Sequence, residues 1–227
     1  MKFQKKLTAI ILLLFVSTLV QARVDQKVSI GLMANPIVSW LRIDNGNIER
    51  NKAKFGIEYG VLTDIHFTEN YALSTGLSVM LQGGTMTYTN NSLDTLGDTR
   101  VKMSLHYINL PLYLKLKTNE MGYITYYGEF GIINQFRIKG SADAERADPN
   151  QFNETVNITK KDNELGIRSQ FYNMSLHIGA GIEYSLGTRT KIQAGLFYNN
   201  GFVNIIKDND EDKIFINNMG LRAAVIF

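Results

Sequence analysis

Residues 172–186 read YNMSLHIGAGIEYSL, and this stretch decides the fold. Tyr172, Met174, Leu176, Ile178, Ala180, Ile182, Tyr184 and Leu186 point one way. Asn173, Ser175, His177, Gly179, Gly181, Glu183 and Ser185 point the other. A period of two puts successive side chains on opposite faces of a strand. Fifteen such residues are far more than the five or six of an ordinary soluble strand. Gly187-Thr188-Arg189 then supplies a turn, after which Ile192, Ala194, Leu196 and Tyr198 alternate with Lys191, Gln193, Gly195, Phe197 and Asn199.

The same habit recurs along the chain. Phe55, Ile57, Tyr59, Val61, Thr63, Ile65 and Phe67 alternate with Gly56, Glu58, Gly60, Leu62, Asp64 and His66. Ile108, Leu110, Leu112, Leu114 and Leu116 oppose Asn109, Pro111, Tyr113, Lys115 and Lys117. Pro111 cannot donate to a ladder, so a bulge is expected there. Ile124, Tyr126, Phe130 and Ile132 oppose Tyr123, Thr125, Tyr127 and Glu129. Eight strands are predicted, over 27–43, 54–67, 71–88, 100–118, 122–139, 168–186, 190–204 and 213–227.

The start of the chain reads as an address. Lys2, Lys5 and Lys6 precede an apolar run from Leu7 to Val20, and Val20-Gln21-Ala22 offers a small-residue cleavage site. That is the pattern of a secretory signal peptide, and it is short for a membrane-spanning helix. The expected division is a signal over 1–22 and one domain over 23–227. The first 22 residues hold three of the 24 basic groups and none of the 21 acidic ones. The exported part therefore balances 21 bases against 21 acids, which removes the main support for nucleic-acid binding. The sequence has no cysteine. This excludes disulfide scaffolds, zinc-thiolate clusters and cysteine nucleophiles.

No later segment has eighteen consecutive apolar residues. A chain of long two-faced strands crosses a membrane as a closed β-barrel, in which every backbone group pairs between strands. Loop lengths point the same way. The connections Thr68-Glu69-Asn70, Asn119-Glu120-Met121 and Gly187-Thr188-Arg189 are tight, whereas 44–53, 89–99, 140–167 and 205–212 are longer and polar. Bacterial outer-membrane barrels have short periplasmic turns and longer external loops. Phe67, Tyr71, Tyr123 and Tyr184 flank the tight turns, as an aromatic girdle would. The expected fold is all-β: an eight-stranded antiparallel up-and-down transmembrane β-barrel in the bacterial outer membrane.

Met219, Leu221, Ala223, Val225 and Phe227 share one face of the final strand. An alternating strand ending in phenylalanine resembles the signal read by outer-membrane assembly machinery. Such signals often carry glycine five residues before the end, where this chain has Arg222, with Gly220 two residues earlier. The run from Leu105 to Lys115 contains Tyr107-Ile108-Asn109-Leu110-Pro111-Leu112-Tyr113-Leu114-Lys115. It resembles a Y-x-x-[IL]-P-[LY]-x-[LF]-K stretch of the PorT-like outer-membrane β-barrel domain family, common in Bacteroidota. The resemblance implies a small porin-like barrel of the Gram-negative envelope, and some relatives serve a gliding and secretion apparatus.

Chemistry is sparsely encoded. Ser175, His177 and Glu183 share a face, but Glu183 lies about 20 Å from His177 along the strand at about 3.3 Å per residue. It cannot orient that imidazole. No catalytic, cofactor or metal residue is assigned, and the chain is read as no enzyme. Glu58, Asp64, Lys115, Lys117, Glu129, Arg137, Glu183, Lys191 and Arg222 are expected inside the barrel as a paired network that fills a polar lumen. Asp208-Asn209-Asp210-Glu211-Asp212 has D-x-D-x-D spacing, but Lys213 and Met219 stand where a calcium loop needs glycine and glutamate. It reads as a solvated loop tip. Loop 140–167 is expected outside, with Phe152 to Thr159 extending a hairpin.

The expected role is structural or interactive: a barrel presenting external loops, as one part of an envelope or secretion assembly. A narrow channel for small solutes is the alternative, and a lipid-modifying enzyme the third. Expected partners are outer-membrane lipid and lipopolysaccharide, the assembly machinery through the strand ending in Phe227, and envelope proteins.

Overall fold

The computed structural model describes residues 28–44, 48–88, 99–146, 154–156, 158, 168–187, 190–207 and 213–227. The expected signal peptide over 1–22 and the acidic cluster 208–212 lie outside the described residues. Eight long strands form the wall: β1 (Val28–Asp44), β2 (Ile48–His66), β3 (Tyr71–Tyr88), β4 (Thr99–Lys117), β5 (Ile124–Arg146), β6 (Tyr172–Ser185), β7 (Lys191–Gly201) and β8 (Lys213–Ile226). Each pairs antiparallel with its neighbours in sequence, and β1 pairs with β8 to close the ring. The closure is completed by Phe227, whose N–H donates to the Ile30 carbonyl at 2.8 Å and whose carbonyl accepts from Ile30 at 3.2 Å.

Alternation sets the two surfaces. Leu176, Ile178, Tyr184, Leu196, Met219 and Leu221 are exposed on the outside, whereas Asn173, Ser175, His177, Glu183, Gln193 and Arg222 are buried inside. On β1 the outward set runs from Ile30 to Trp40. Ten residue-to-residue steps at about 3.3 Å, tilted by about 40°, span about 25 Å of height, which matches the apolar band of an outer-membrane barrel. Phe67, Tyr71, Tyr123 and Tyr184 are exposed at the edge with the tight turns, and the last two rings lie 6.1 Å apart. At the other edge Trp40 stacks on Tyr198 at 6.1 Å, and the Arg42 guanidinium covers the Phe215 ring at 4.6 Å.

Three expectations need correction. Pro111 makes no bulge. The β3–β4 ladder passes from Thr75/Leu112 to Ser78/Asn109 in unbroken register. Pro111 lacks only a donor, and its carbonyl takes the Thr75 hydroxyl at 2.8 Å. Beside Pro36 on β1, Asn35 Oδ1 accepts the Ala223 N–H at 3.1 Å. The bulge of β4–β5 lies instead at His106/Tyr107, where Ile138 is the extra residue. Second, the connection expected at 44–53 is shorter, because β2 begins at Ile48. The external side therefore has one short link among its longer ones. Third, β5 runs to Arg146, so residues 140–146 are strand and not loop. A short strand, Glu154–Val156, pairs with Ala142–Ala144, so the expected hairpin is there.

β2 is irregular at its external end. Its register with β3 shifts between Glu49 and Lys52 and again between Ala53 and Ile57, where the regular ladder begins. There β1 reaches β3 directly. The Ser39 hydroxyl donates to the Gly83 carbonyl at 2.8 Å and accepts the Gly83 N–H at 2.9 Å. A Cβ at Gly84 would lie 2.7 Å from Leu41 Cγ, so only glycine permits the approach.

Candidate functional site: a filled lumen

An eight-stranded barrel is just wide enough to be filled by side chains. This one is filled in three storeys. Nearest the tight-turn end is a charged storey. Lys115 is fully buried, and its ammonium lies 2.7 Å from Asp64 Oδ2, 2.6 Å from Glu183 Oε1 and 3.8 Å from Glu129 Oε1. Arg222 reaches Glu129 at 3.3 Å and sits over the Phe197 ring at 5.1 Å. His177 lies between Glu129, at 3.5 Å, and Asn199 Oδ1, to which its Nδ1 donates at 2.6 Å; its ring stacks on Tyr113 at 3.9 Å. Lys117 and Lys191 are half-buried below, with Lys117 3.3 Å from His66 and Lys191 3.9 Å from Glu183. Charges in a low-dielectric interior must be paired and hydrogen-bonded. Lys115 meets that demand by serving three strands at once.

The middle storey is a belt of amides. Glu58 accepts from Asn35 at 2.9 Å, Ser78 at 2.7 Å and Asn109 at 3.0 Å. Gln135 donates to Asn109 at 3.1 Å and accepts from Asn173 at 2.6 Å and Ser175 at 3.2 Å. Asn199 donates to Asn218, which donates to Gln82 at 2.8 Å. Four buried carboxylates, Glu58, Asp64, Glu129 and Glu183, share the interior with two buried cations, Lys115 and Arg222. Neutral donors around Glu58 carry part of that imbalance.

The external storey corrects the expectation of a wholly polar lumen. Leu41, Met86, Val101, Met103, Leu105 and Tyr107 turn inward and join Ile158, Ile205, Ile206, Ile214 and Ile216 in one buried cluster. A Cβ on Gly140, which pairs with inward-facing Leu105, would meet Ile158 at 3.2 Å, so Ile158 sits inside the mouth. Backbone bonds hold this lid: Ser169 N–H to the Ile158 carbonyl at 3.0 Å, Gln170 N–H to Ile205 at 2.7 Å, and Ile205 N–H to Ile214 at 2.8 Å. Arg168–Ser169 and Ile206–Lys207 form a small second sheet beside it. Arg137, expected inside, is half-buried near this mouth and donates to the Gln170 carbonyl at 3.0 Å.

Ser175, His177 and Glu183 are each engaged elsewhere, with Gln135, Asn199 and Lys115 respectively. They form no nucleophile–base–acid relay. The acid that His177 does meet, Glu129, comes from the neighbouring strand, and only the β5–β6 register shows it. Among the described residues no group of three or more histidines and acids is arranged to hold a metal ion. The Tyr107–Lys115 run has its function here. Tyr107, Asn109, Tyr113 and Lys115 all face inward and supply, in order, the lid, the amide belt, the histidine stack and the ion hub.

The model of the outer membrane protein beta-barrel domain matches residues 21–207. The chain belongs to that family. It is a bacterial outer-membrane β-barrel protein. Similar solved structures include Neisserial surface protein A, at 11% identity and a TM-score of 0.43, covering 87% of this chain and 95% of that one. OprG from Pseudomonas aeruginosa is similar at 8% identity and 0.40, covering 88% and 95%. The Ail attachment invasion locus protein of Yersinia pestis is similar at 15% identity and 0.36, covering 89% and 100%. No curated protein matches this chain.

Proposed function

We propose that this protein is a closed wall element of the outer membrane that acts through its surfaces and not through its lumen. The observation that carries the reading is the fully buried Lys115, tied to carboxylates of three strands. An ion crossing the barrel would have to break that hub and pass the isoleucine lid. Pores with an aqueous channel are built from about sixteen strands. The reading is non-enzymatic, since the hydroxyl, imidazole and carboxylate of the β6 face are bonded apart.

Residues 1–22 serve export in this reading, and the Tyr107–Lys115 run supports a place in the PorT-like subgroup. The partners are the assembly machinery, through the strand ending in Phe227, outer-leaflet lipid including lipopolysaccharide, and envelope proteins at the external rim. The experiment is conductance of the refolded, heat-modifiable barrel in planar bilayers. We expect no unitary steps above the lipid baseline. Reproducible steps from the folded protein would overturn the closed-lumen reading and restore the narrow channel.

A further inference from the structure

Pro36 interrupts the pairing that joins the two ends of the sheet. The β1–β8 ladder keeps a single offset from Gly31/Ile226 to Asp44/Lys213, but Ala34, Asn35 and Pro36 take no ladder partner on β8. Their pairing with β2 is unbroken. Proline brings no N–H to a ladder, and the Ala223 N–H turns to the Asn35 side chain at 3.1 Å. At the centre of the seam a side chain thus takes over part of the backbone's task.

A slip of β8 by one residue would turn every side chain to the wrong face, but a slip by two leaves both faces intact. Alternation cannot tell such offsets apart. The side chains around Gly220 can. Gly220 is the register partner of Ile37 on β1 and of Phe197 on β7. A Cβ there would lie 2.7 Å from Ile37 Cγ2, from Phe197 Cζ and from the Pro36 carbonyl oxygen. The bare backbone lets Ile37 and Phe197 close over β8, and with Met80 they form a small buried apolar cluster. Buried polar residues flank that rung: Asn35 and Ser39 on β1, Asn218 and Arg222 on β8. A two-residue slip one way would set Ile37 against Asn218 and bring Asn35 to the Phe197 ring. The other way would set Ile37 against Arg222 and bring Ser39 to the ring. Either one puts buried polar groups against apolar carbon, which is costly. Arg222 would also leave Met33 Sδ, now 3.2 Å from its guanidinium. We propose that Gly220 is the register key of barrel closure: the gap it leaves between Ile37 and Phe197 admits β8 onto β1 at one offset and rejects those two residues away. Stagger and barrel size are linked, so the same key sets the lumen in which the ion hub forms. Gly220, two residues ahead of the usual glycine of terminal-strand signals, thereby has a task within the chain itself.

The test is disulfide trapping of the seam. The sequence has no cysteine, so introduced pairs report on nothing else. Facing strand positions lie about 5.5 Å apart at Cα, within disulfide reach, and positions two residues off lie about 7–8 Å apart, outside it. Leu32→Cys/Val225→Cys reads the observed offset, and Leu32→Cys/Ala223→Cys and Val38→Cys/Leu221→Cys read the two slips. The full barrel, refolded and oxidised in lipid vesicles, should cross-link at the observed offset only. In Gly220→Ala the slipped products should rise about tenfold, the change that about 1.4 kcal/mol between two offsets brings. Gly128→Ala, whose Cβ would meet nothing closer than 3.9 Å, should leave the pattern unchanged. A gel shift on boiling shows which variants close. If Gly220→Ala does not, Ile37→Ser, which removes the apolar contact without adding bulk, is the variant that should slip. Cross-linking confined to the observed offset in a variant that closes would overturn the proposal, as would slipped product in the unaltered barrel. Closure by neither variant would mean that no second offset is accessible, and would overturn it as well.

Discussion

Ser39 and Gly83 exchange two hydrogen bonds, at 2.8 and 2.9 Å, although β2 lies between their strands in the ladder. The hydroxyl satisfies backbone groups that the displaced end of β2 leaves without ladder partners. Ser39→Ala should destabilise the barrel by about 1–3 kcal/mol, the cost of a buried donor and acceptor left unmade. Urea unfolding in lipid vesicles would read it, and an unchanged midpoint would mean that β2 can return to the ladder.

Lys115→Met should cost about 3–5 kcal/mol, because it strands Asp64 and Glu183 without their shared cation. Adding Asp64→Leu and Glu183→Leu should recover much of the loss, since apolar packing can replace a buried ion cluster. A triple variant no more stable than Lys115→Met would show that the hub specifies the barrel's closure as well as balancing charge.

Leu196 faces lipid and Gln193 lies inside beside Glu129, 3.3 Å away. Leu196→Arg should destabilise by about 2–4 kcal/mol if it sits near the bilayer midplane. Gln193→Arg should cost much less, because Glu129 is there to pair with it. Equal shifts in unfolding midpoint would contradict the assignment of faces.

Ile158→Gly with Ile205→Gly should thin the lid. Each removes a buried branched side chain, at about 2–5 kcal/mol. Planar-bilayer recordings of this variant should still be silent, since the ion hub lies below. Channel steps would place the barrier in the lid alone.

Deleting Phe227 should lower outer-membrane insertion more than deleting residues 160–164. Phe227 bonds Ile30 in both directions across the closing seam. Equal insertion in fractionated membranes would mean that the seam tolerates a shorter last strand.

The wall was legible in the chain because lipid on one face and a filled lumen on the other enforce a strict period of two. Leu176, Leu196 and Leu221 could be placed from that alone. Pairings inside the lumen could not. They depend on register, which turns and bulges set, so Glu129 meeting His177 was invisible while Ser175 and Glu183 on its own strand drew the eye. The lid was missed for a different reason. Ile158 and Ile205 lie in connections, where polar neighbours suggest solvent. One signal was present: Ile214, Phe215 and Ile216 are consecutive and apolar, and all three are buried. A run without alternation marks a strand covered on both faces.

The lumen is lined by apolar side chains at one end and by charged ones at the other. A hydrophilic solute arriving from outside meets packed isoleucine, while one from the tight-turn side meets the half-buried ammonium groups of Lys117 and Lys191. In the closed-lumen reading proposed above, the abundance of such barrels can vary with no change in what the envelope lets through.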